Sequence, residues 1–393
     1  MINSEWIKGV VKKFETPLYL FDLAELKGRV GEIRKHLGGD IELCYAMKAN
    51  PFLISYLDEV VDRFEVCSFG EYEICAKEHI ISDKIVFSGV YKEEKETQYI
   101  LEKGFDGEYT IESRRQFLEL YEAIKESSQK IRILLRLTSG NQFGMDKSEI
   151  IRIVSDKEKM EHFQLSGIHY FSGTQKKNRE MFIKELDEID EYCCQLYKET
   201  GVSIKKIEYG PGLYIDYFGG GQLEYGDLEY LSEELHKKDY KFVIELGRYI
   251  AATCGRYITS VVDVKSNMNK NYCMVDGGIN HINYYGQMLG LRVPKVDVIP
   301  RTDNKEKECR KWNVCGALCT VGDVLLRDYE LESPEIGDLL VFNNTGAYSV
   351  TEAMFLFLSR KLPQILVMDE NQNIELIRDG ILSSEINSRG KRR

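Results

Sequence analysis

Lys48 is the residue whose position in the sequence most directly predicts chemistry. It follows the β-prone run Ile41–Met47, and Asn50-Pro51 comes almost at once after it. Because Asn-Pro marks a turn, we expect Lys48 at the C-terminal end of a buried strand, with its amine reaching into a cleft. Desolvation in a cleft lowers the pKa of an amine and makes it nucleophilic, which suits a lysine that forms a Schiff base. A surface lysine that happens to end a strand is the alternative for Lys48 taken alone.

Strands and helices alternate along the first part of the chain. β-prone runs lie at residues 41–47, 63–67, 84–88, 107–111, 131–137, 165–169, 205–209 and 242–246, with amphipathic charged segments between them. Such alternation predicts a parallel sheet, and about eight units is the count of a TIM barrel. A doubly wound open sheet is the alternative, but no G-x-G-x-x-G follows the first strand. We therefore predict an α/β fold with a (β/α)8 TIM barrel over residues 22–250.

The sequence changes character after residue 250. β-prone runs continue at 256–264, 272–276, 313–315, 323–327, 338–342 and 364–368 without long helices between them. We expect residues 251–383 to form a mostly β C-terminal domain, which residues 1–21 could join. The apolar stretch Leu18–Phe21 could pair with either domain. Residues 384–393 are polar and basic and are expected to form a flexible tail.

Composition argues against several classes of protein. With 393 residues and 43% apolar content, the chain fits two ordered domains. Its net charge of −11 argues against a nucleic-acid partner, because phosphate binding needs a basic surface. No apolar run is long enough to span a membrane, and the N-terminus lacks a signal-peptide core. The ten cysteines show no C-x-x-C pair or metal-ligand spacing, so we expect reduced thiols in a cytoplasmic protein without a metal site.

Chemically useful side chains gather at the ends of the predicted strands, which is where a TIM barrel places its active site. They are Lys48, Glu65, Ser88, Arg136, His169, the loop Gly210-Pro211-Gly212, and the run from Glu245 to Arg248. Each has a structural alternative. Arg136 could form an ion pair, His169 could be a core histidine, and the glycine loop could be a plain turn. Glu245 could pair with Arg248. Their coincidence at one barrel rim favours an active site.

Seven short motifs resemble those of one enzyme family in order and approximate spacing. They are YAMKANP (45–51), FEVCSFGE (64–71), HYFSG (169–173), YGPGL (209–213), ELGR (245–248), GALCTVGD (316–323) and GDLLVFNNTGAYS (337–349). From about Thr16 to Gly380 the chain resembles the fold-type-III pyridoxal-phosphate decarboxylases, the diaminopimelate and ornithine decarboxylase group. YAMKANP resembles the motif that carries the cofactor lysine in that family.

The resemblance implies a pyridoxal 5′-phosphate enzyme that removes the α-carboxylate of an amino acid or aminoacyl substrate. It also implies a homodimer with active sites at the subunit interface. Lys48 would hold the cofactor aldehyde, and Glu245 would keep the pyridine nitrogen protonated. His169 would stack on the ring, with Arg136 and Glu65 near the ring and the lysine. Phosphate and further cofactor contacts would come from Gly210, Gly212, Ser172, Gly247, Arg248 and Tyr348.

The C-terminal domain would supply the residues that act on the substrate. The resemblance implies that Cys319 reaches the neighbouring subunit's site and protonates the α-carbon after decarboxylation as a general acid. A buried structural cysteine is the alternative. The position after Cys319 is acidic in relatives that bind a distal ammonium group, but here it is Thr320. Thr320 and Asp323 are the candidate substrate contacts, and Asp323 or Glu352 could supply an acid instead.

Two further departures concern the phosphate loop and the substrate. The glycine triplet of the family is Gly-Pro-Gly here, which removes one backbone donor. The Arg-Pro motif that helps to clamp diaminopimelate is not evident in residues 276–290. The chain looks closer to the branch that decarboxylates an aminoacyl group on an acyl carrier protein, as in butirosin-type biosynthesis. A diaminopimelate decarboxylase of lysine biosynthesis is the alternative.

Other functions of related barrels match the sequence less well. An amino-acid racemase usually sets an arginine against the pyridine nitrogen, and Glu245 argues against that. A non-catalytic cofactor-handling protein would normally lack the second domain. A metal-dependent barrel hydrolase would need His/Asp ligand pairs at strand ends, which the sequence does not offer.

Overall fold

The computed structural model describes residues 3–219, 225–287, 289–302 and 308–389. Its strands are β1 (Leu18–Asp22), β2 (Glu42–Ala46), β3 (Arg63–Val66), β4 (Ile85–Phe87), β5 (Glu108–Ile111), β6 (Ile131–Arg136), β7 (Phe163–Phe171), β8 (Lys206–Gly210), β9 (Lys241–Leu246), β10 (Gly255–Asn267), β11 (Lys270–Val275), β12 (Val296–Ile299), β13 (Cys309–Cys315), β14 (Val324–Glu332), β15 (Leu339–Asn343), β16 (Gln364–Met368) and β17 (Ile374–Arg378). Its helices are α1 (Ser4–Lys13), α2 (Leu23–Leu37), α3 (Ile54–Leu57), α4 (Phe69–Lys77), α5 (Glu94–Glu102), α6 (Arg114–Ile124), α7 (Lys147–Ser155), α8 (Lys157–Met160), α9 (Glu180–Thr200), α10 (Gly226–His236), α11 (Arg248–Ala251) and α12 (Ser384–Asn387).

The first compact unit, residues 27–215 and 225–250, contains a closed barrel of eight parallel strands, β2 to β9. β9 closes the barrel on β2, with Glu245 opposite Cys44 in register. Each of the eight barrel strands overlaps one of the eight β-prone runs predicted for the barrel. The prediction of a TIM barrel is therefore confirmed. The register brings the C-terminal ends of all eight strands to one rim.

Local sequence explains how the barrel strands lead into helices. Ser68 caps α4, because its Oγ accepts a hydrogen bond from the N–H of Glu71 at 3.2 Å. Ser113 caps α6 in the same way, with the N–H of Gln116 at 3.2 Å. Inside the barrel an apolar cluster joins four strands through the fully buried side chains of Cys44, Val86, Leu134 and Val243. The strands are buried on both faces, which is typical of parallel sheets.

The second unit comprises residues 3–26, 216–219 and the described residues from 251 onward. Its sheet has the strand order β14-β13-β11-β10-β1-β16-β17, and β15 pairs with β10 and β12. β1 pairs antiparallel with β10 and parallel with β16, so Leu18–Phe21 belongs to this unit. The predicted mostly β domain is confirmed. β12 and β17 were not predicted, and α12 forms within the segment that we expected to be a flexible tail.

One core cluster explains why the N-terminus joins the second unit. Ile7 and Val10 on α1 pack with Leu18 and Leu20 of β1 in a cluster that also contains Ile258 of β10. Apolar residues spaced by three along α1 form one face of that helix, which the sheet covers. None of the helices among the described residues is long and apolar enough to cross a bilayer.

Candidate active site at the strand ends of the barrel

Lys48 lies in a 3₁₀ turn that follows directly on β2. Asn50 fixes the next turn, because its side-chain oxygen accepts a hydrogen bond from a backbone N–H two residues ahead at 3.1 Å. The Lys48 side chain is 38% exposed, whereas those of Glu65 and Glu245 beside it are 2% and 6% exposed. The lysine therefore extends its amine into a cleft lined by two buried carboxylates.

Two glutamates contact the Lys48 amine. Its Nζ donates to Oε2 of Glu65 and lies 3.5 Å from Oε1 of Glu245. Burial and repulsion from Glu245 raise the pKa of Glu65, although Lys48 opposes this shift. Burial also opposes ionisation of Glu245, but Lys48 and His169 outweigh it and lower the pKa of Glu245 well below its usual range. Glu245 therefore carries a negative charge at neutral pH.

His169 is fully buried on β7, in register with Arg136 on β6 and Glu208 on β8. Its Nε2 lies 3.1 Å from Oε2 of Glu245. Because the ionised carboxylate can only accept, His169 donates through Nε2. None of the described residues hydrogen bonds to its Nδ1. The alternative of a satisfied core histidine does not hold, since one ring nitrogen lacks a protein partner in the described part of the chain.

Glu208 was not among the predicted residues, and it completes a buried cluster. One ligand atom each of His169, Glu208 and Glu245 lies within 4.8 Å of the others. Both carboxylate oxygens of Glu208 lack a hydrogen-bond partner among the described residues. Burial, together with repulsion from Glu108 and Glu245, raises the pKa of Glu208 well above its usual range. The set has the ligand types of a metal site. However, Glu245 is already paired with Lys48 and His169.

The segment Gly210-Pro211-Gly212 begins at the last residue of β8 and approaches the loop after β7. Gly212 has a φ of +63°, and a Cβ there would collide with the carbonyl oxygen of Gly173. The N–H of Lys176 donates to the carbonyl of Gly212 at 2.9 Å, which ties the two loops together. Only glycine fits at 212, because both the conformation and the lack of space exclude a side chain. The bare backbone forms a cradle in which N–H groups could meet a phosphate.

Ser172, predicted to contact the phosphate, donates its hydroxyl to Oε1 of Glu185. Glu185 lies on α9 and also pairs with the buried Lys176, whose Nζ is 2.7 Å from Oε2. Tyr209 donates to the same carboxylate at 2.5 Å. Burial lowers the pKa of Lys176, although Glu185 opposes this shift. Sequence reasoning missed this network, because it joins the loop after β7 to α9 and β8 and its members form no motif.

Arg136 forms the buried ion pair that we considered as its structural alternative. Its Nη1 lies 3.0 Å from Oε1 of Glu112, and both side chains are almost fully buried. The other oxygen of Glu112 accepts from the N–H of Gly144 at 3.3 Å. The guanidinium lies 4.7 Å from the ring centre of Phe143. The pair fixes Arg136 at the rim next to His169.

Ser88, at the end of β4, is buried and bonded to Thr110 Oγ1 at 3.0 Å, which gives it a structural role. Lys92, which was not predicted, is buried in the same region. Its Nζ donates to the carbonyls of Gly89 at 2.7 Å and Thr110 at 2.8 Å, and to Gln116 at 3.2 Å. Burial lowers the pKa of Lys92 to about 7, although Glu112 opposes this shift. Lys92 thus ties the loop after β4 to β5.

Gly247 and Arg248 follow β9. A Cβ at Gly247 would lie 3.0 Å from the Cβ of Ala49 and 3.1 Å from the carbonyl oxygen of Ala46. The missing side chain therefore lets the ends of β9 and β2 approach each other. Arg248 begins α11 and is buried. Glu245, which could have paired with it, contacts Lys48 and His169.

The β unit places Cys319 and Thr320 on an exposed loop before β14. The alternative of a buried structural cysteine therefore does not hold for Cys319. Asp323 is buried, and its carboxylate accepts from the N–H groups of Ile279 at 2.9 Å and Leu318 at 2.8 Å. Burial raises the pKa of Asp323, although these two hydrogen bonds oppose it. Asp323 thus holds the loop that carries Cys319.

Tyr348 stands in the same unit with a left-handed backbone. Its φ is +64°, a conformation that is uncommon for residues other than glycine and that clusters at functional sites. The carbonyl of Tyr348 accepts from the N–H groups of Thr351 at 3.1 Å and Glu352 at 2.9 Å. The tyrosine side chain is half-buried, and Glu352 is exposed.

The fold and the barrel rim together define a class of protein. A lysine amine in a cleft, an ionised buried carboxylate, a histidine on a strand end and a glycine cradle are the groups that bind pyridoxal phosphate. The residues fit this cofactor, because the glycine loop could offer backbone N–H groups to a phosphate and Glu245 offers a negative charge to a ring nitrogen. The protein therefore has the architecture of a barrel-type pyridoxal-phosphate enzyme.

Comparison with known families makes the assignment specific. The family described as pyridoxal-dependent decarboxylase, pyridoxal binding domain, matches residues 23–252. The chain belongs to this family. It is a pyridoxal-phosphate-dependent decarboxylase, a carboxy-lyase, and pyridoxal 5′-phosphate is its cofactor.

Individual relatives cover almost the whole chain. The L-glutamyl-[BtrI acyl-carrier protein] decarboxylase of Niallia circulans is 26% identical, over 96% of this chain and 94% of its own. The diaminopimelate decarboxylase of Aquifex aeolicus is 29% identical, over 96% and 92%. Among solved structures, AQ1208 of Aquifex aeolicus superposes with a TM-score of 0.83 at 26% identity, over 97% and 93%. The diaminopimelate decarboxylase of Helicobacter pylori with L-lysine has a TM-score of 0.85 at 24% identity, over 97% and 98%, a likeness of fold alone.

Proposed function

We propose that this decarboxylase acts on an aminoacyl group tethered to an acyl carrier protein. The observation that carries the proposal is the neutral Thr320 next to Cys319, with the nearby predicted acid, Asp323, engaged by backbone N–H groups. A desolvated distal ammonium needs a carboxylate partner, and its loss costs about 2–5 kcal/mol. Thr320 offers only a hydroxyl, which suits an uncharged distal group such as a thioester.

The barrel residues receive the following roles. Lys48 binds the cofactor aldehyde, and Glu65 holds the lysine amine in place through their ion pair. Glu245 holds a proton on the pyridine nitrogen, and its hydrogen bond with His169 at 3.1 Å fixes both side chains. When bound, pyridoxal phosphate would supply an electron sink for the electron pair that stays on the α-carbon when CO₂ departs. Arg136, held by its ion pair with Glu112, would lie near the cofactor ring.

The phosphate of the cofactor would lie in the glycine cradle. Gly210 and Gly212 offer backbone N–H groups, and Ser172, Gly247, Arg248 and Tyr348 provide further contacts. Ser172 already donates to Glu185, and Lys176 neutralises that carboxylate. This pairing supports phosphate binding, because an unpaired carboxylate next to the cradle would repel the dianion.

The working unit in this proposal is a homodimer in which Cys319 protonates the α-carbon in the partner's site. The exposed thiol on the loop held by Asp323 supports this role. All ten cysteines are free thiols, which supports a reducing, cytoplasmic compartment.

Diaminopimelate decarboxylation is the second candidate function. The 29% identity to the Aquifex aeolicus enzyme over most of both chains favours it. In that case another acid, such as the exposed Glu352, would have to face the distal end of the substrate.

One assay distinguishes the two candidates. The purified protein is offered free L-glutamate, free meso-diaminopimelate, lysine and ornithine, and the same aminoacyl groups loaded on a carrier protein. Released CO₂ and the mass of the product are recorded, with Lys48→Ala as the inactive control. We expect turnover of a carrier-bound substrate only. A kcat/KM above about 10⁴ M⁻¹s⁻¹ on free diaminopimelate would make the second candidate correct.

A further inference from the structure

The β unit carries a cleft beside the loop of Cys319, with a volume of about 410 Å³. Six of its lining residues define what we call the cationic cleft: Lys265, Asn267, Lys270, Tyr272, Asn313 and Arg327. They come from the hairpin of β10 and β11 and from the neighbouring strands β13 and β14. Thr320 and the 99% exposed Val321 also line it, so the cleft opens next to the proposed substrate position.

Positive charge dominates this cleft on a protein whose net charge is −11. Lys265, Lys270 and Arg327 line it, and all three are exposed. The acidic lining residue is Asp323, which is buried and already holds two backbone N–H groups. Lys265 also lies 3.7 Å from Asp263, which is outside the lining and leaves the ammonium only partly compensated. A local excess of cations in an acidic protein predicts an anionic ligand.

Between its cationic residues the cleft presents both apolar surface and amide groups. Tyr272 and Met274 of β11 are half-buried and form apolar surface, and Cys315 lies beside them. Burial and Asp323 raise the pKa of Cys315, whereas Arg327 and Lys265 lower it, so the field of both cations reaches the apolar surface. Asn267 and Asn313 add amide groups, and the Asn313 amide contacts the backbone only at 3.4 and 3.5 Å. Such long contacts leave the amide available for a ligand.

We infer that the cationic cleft binds the phosphopantetheine arm of the carrier protein. The phosphodiester would lie against Lys265, Lys270 and Arg327, since guanidinium and ammonium groups are the usual phosphate donors. The two amides of the arm would hydrogen bond to Asn267 and Asn313. Its aliphatic part would pack against Tyr272 and Met274. The thioester end then faces Thr320. The inference rests on the proposed function, because only a tethered substrate brings such an arm.

Kinetics of a double variant provide the first test. In Lys265→Gln/Arg327→Gln the KM for a carrier-bound aminoacyl substrate should rise about tenfold or more, while kcat changes little, because the lost contacts bind but do not react. The same aminoacyl group on a short thioester without phosphate should keep its KM. Lys130→Gln, an exposed lysine of the barrel unit, is the matched control and should change neither value. An unchanged KM in the double variant, with the carrier-bound substrate turned over, overturns the inference and leaves the proposed function intact.

Binding of the arm alone provides the second test and needs no catalysis. The holoenzyme is titrated with 4′-phosphopantetheine and with pantetheine, which lacks the phosphate. We expect the phosphorylated probe to bind more tightly, and the preference to disappear in the double variant but not in Lys130→Gln. Equal binding of the two probes to the wild-type protein overturns the inference. A change of oligomeric state in the double variant also overturns it, because it would mean that a second copy of the chain covers the cleft. If free amino acids alone are decarboxylated, the carrier part of the proposed function fails, and this titration still decides what the cleft binds.

Discussion

At the scale of single residues, the site depends on which carboxylates are ionised. Glu245 and Glu208 are both buried, yet the pKa of the first is lowered and that of the second is raised. The difference follows from their neighbours. Lys48 and His169 contact Glu245, whereas Glu208 is repelled by Glu108 and Glu245 and has no hydrogen-bond partner among the described residues. One barrel interior thus holds two glutamates a few ångströms apart whose pKa values are shifted in opposite directions.

Glu245→Gln tests the anion. The amide keeps the shape of the side chain but does not hold a proton on a ring nitrogen, so the electron sink weakens. We expect kcat to fall by about 10²-fold or more, with a smaller effect on cofactor affinity. Glu234→Gln is the control, because Glu234 is a buried glutamate on α10 that pairs with Lys237. A wild-type kcat in Glu245→Gln would leave Glu245 with a structural role only.

Glu208→Gln tests the raised pKa of Glu208 through the stability of the fold. A raised pKa means that the folded state holds a proton that the unfolded chain releases, so this group costs stability as pH rises from about 4 towards the folded pKa. The glutamine variant has no such proton. Its advantage in unfolding free energy over the wild type should therefore grow with pH, by up to about 1.4 kcal/mol per pH unit. Chemical denaturation of both proteins at about pH 5, 6, 7 and 8 measures it, and a constant difference would contradict the assignment.

At the scale of elements, the strand ends carry the candidate site residues, and the loops after them fix the backbone around the site. The end of β8 and the loop after β7 interlock at Gly212, where a side chain would strike the carbonyl of Gly173. The N–H of Lys176 donates to the carbonyl of Gly212 at 2.9 Å and connects the same two segments. The backbone that would meet a phosphate is therefore fixed by packing before any ligand arrives.

Gly212→Ala should disrupt this junction and weaken cofactor binding about tenfold or more, because the loop must move to relieve the collision. Gly201→Ala is a matched control. Gly201, at the end of α9, also has a positive φ, of +73°, but a Cβ there would meet no described atom within 4 Å. It should lose only about 1 kcal/mol of stability and bind pyridoxal phosphate normally. Titration of the two apo variants with the cofactor measures the effect, and equal affinities would refute the role of the cradle.

The sequence predicted the strands well where a run of apolar residues was clear. All eight barrel strands are short apolar runs between charged helices, and they were found. β12 and β17 were missed because they are short and at most half of their residues are buried, so they lack a clear apolar pattern. Lys48, Glu245 and His169 could be predicted because each lies at a strand end. Glu185 and Lys92 could not, because their partners lie on other elements and only the fold brings them together.

At the scale of the whole molecule, the proposed cofactor-binding and substrate-facing residues lie in different units. The residues that would hold the cofactor lie in the barrel unit, apart from Tyr348, whereas Cys319 and Thr320 lie in the β unit. The N-terminal strand β1 belongs to the β unit, since it pairs with β10 and β16. A loss of Cys319 should therefore leave the cofactor bound but slow the protonation of the α-carbon that gives the product.

Mixing inactive subunits tests whether the proposed dimer shares its active sites. Lys48→Ala lacks the cofactor lysine and Cys319→Ala lacks the proposed acid, so each homodimer should be inactive or nearly so. If each site takes its lysine from one subunit and its cysteine from the other, one of the two sites in a heterodimer is intact. An equal mixture that exchanges freely contains about half heterodimers, so activity should recover to about one quarter of the wild-type value. Native mass spectrometry verifies the exchange. No recovery in a mixture that has exchanged would mean that Lys48 and Cys319 of the same chain work together.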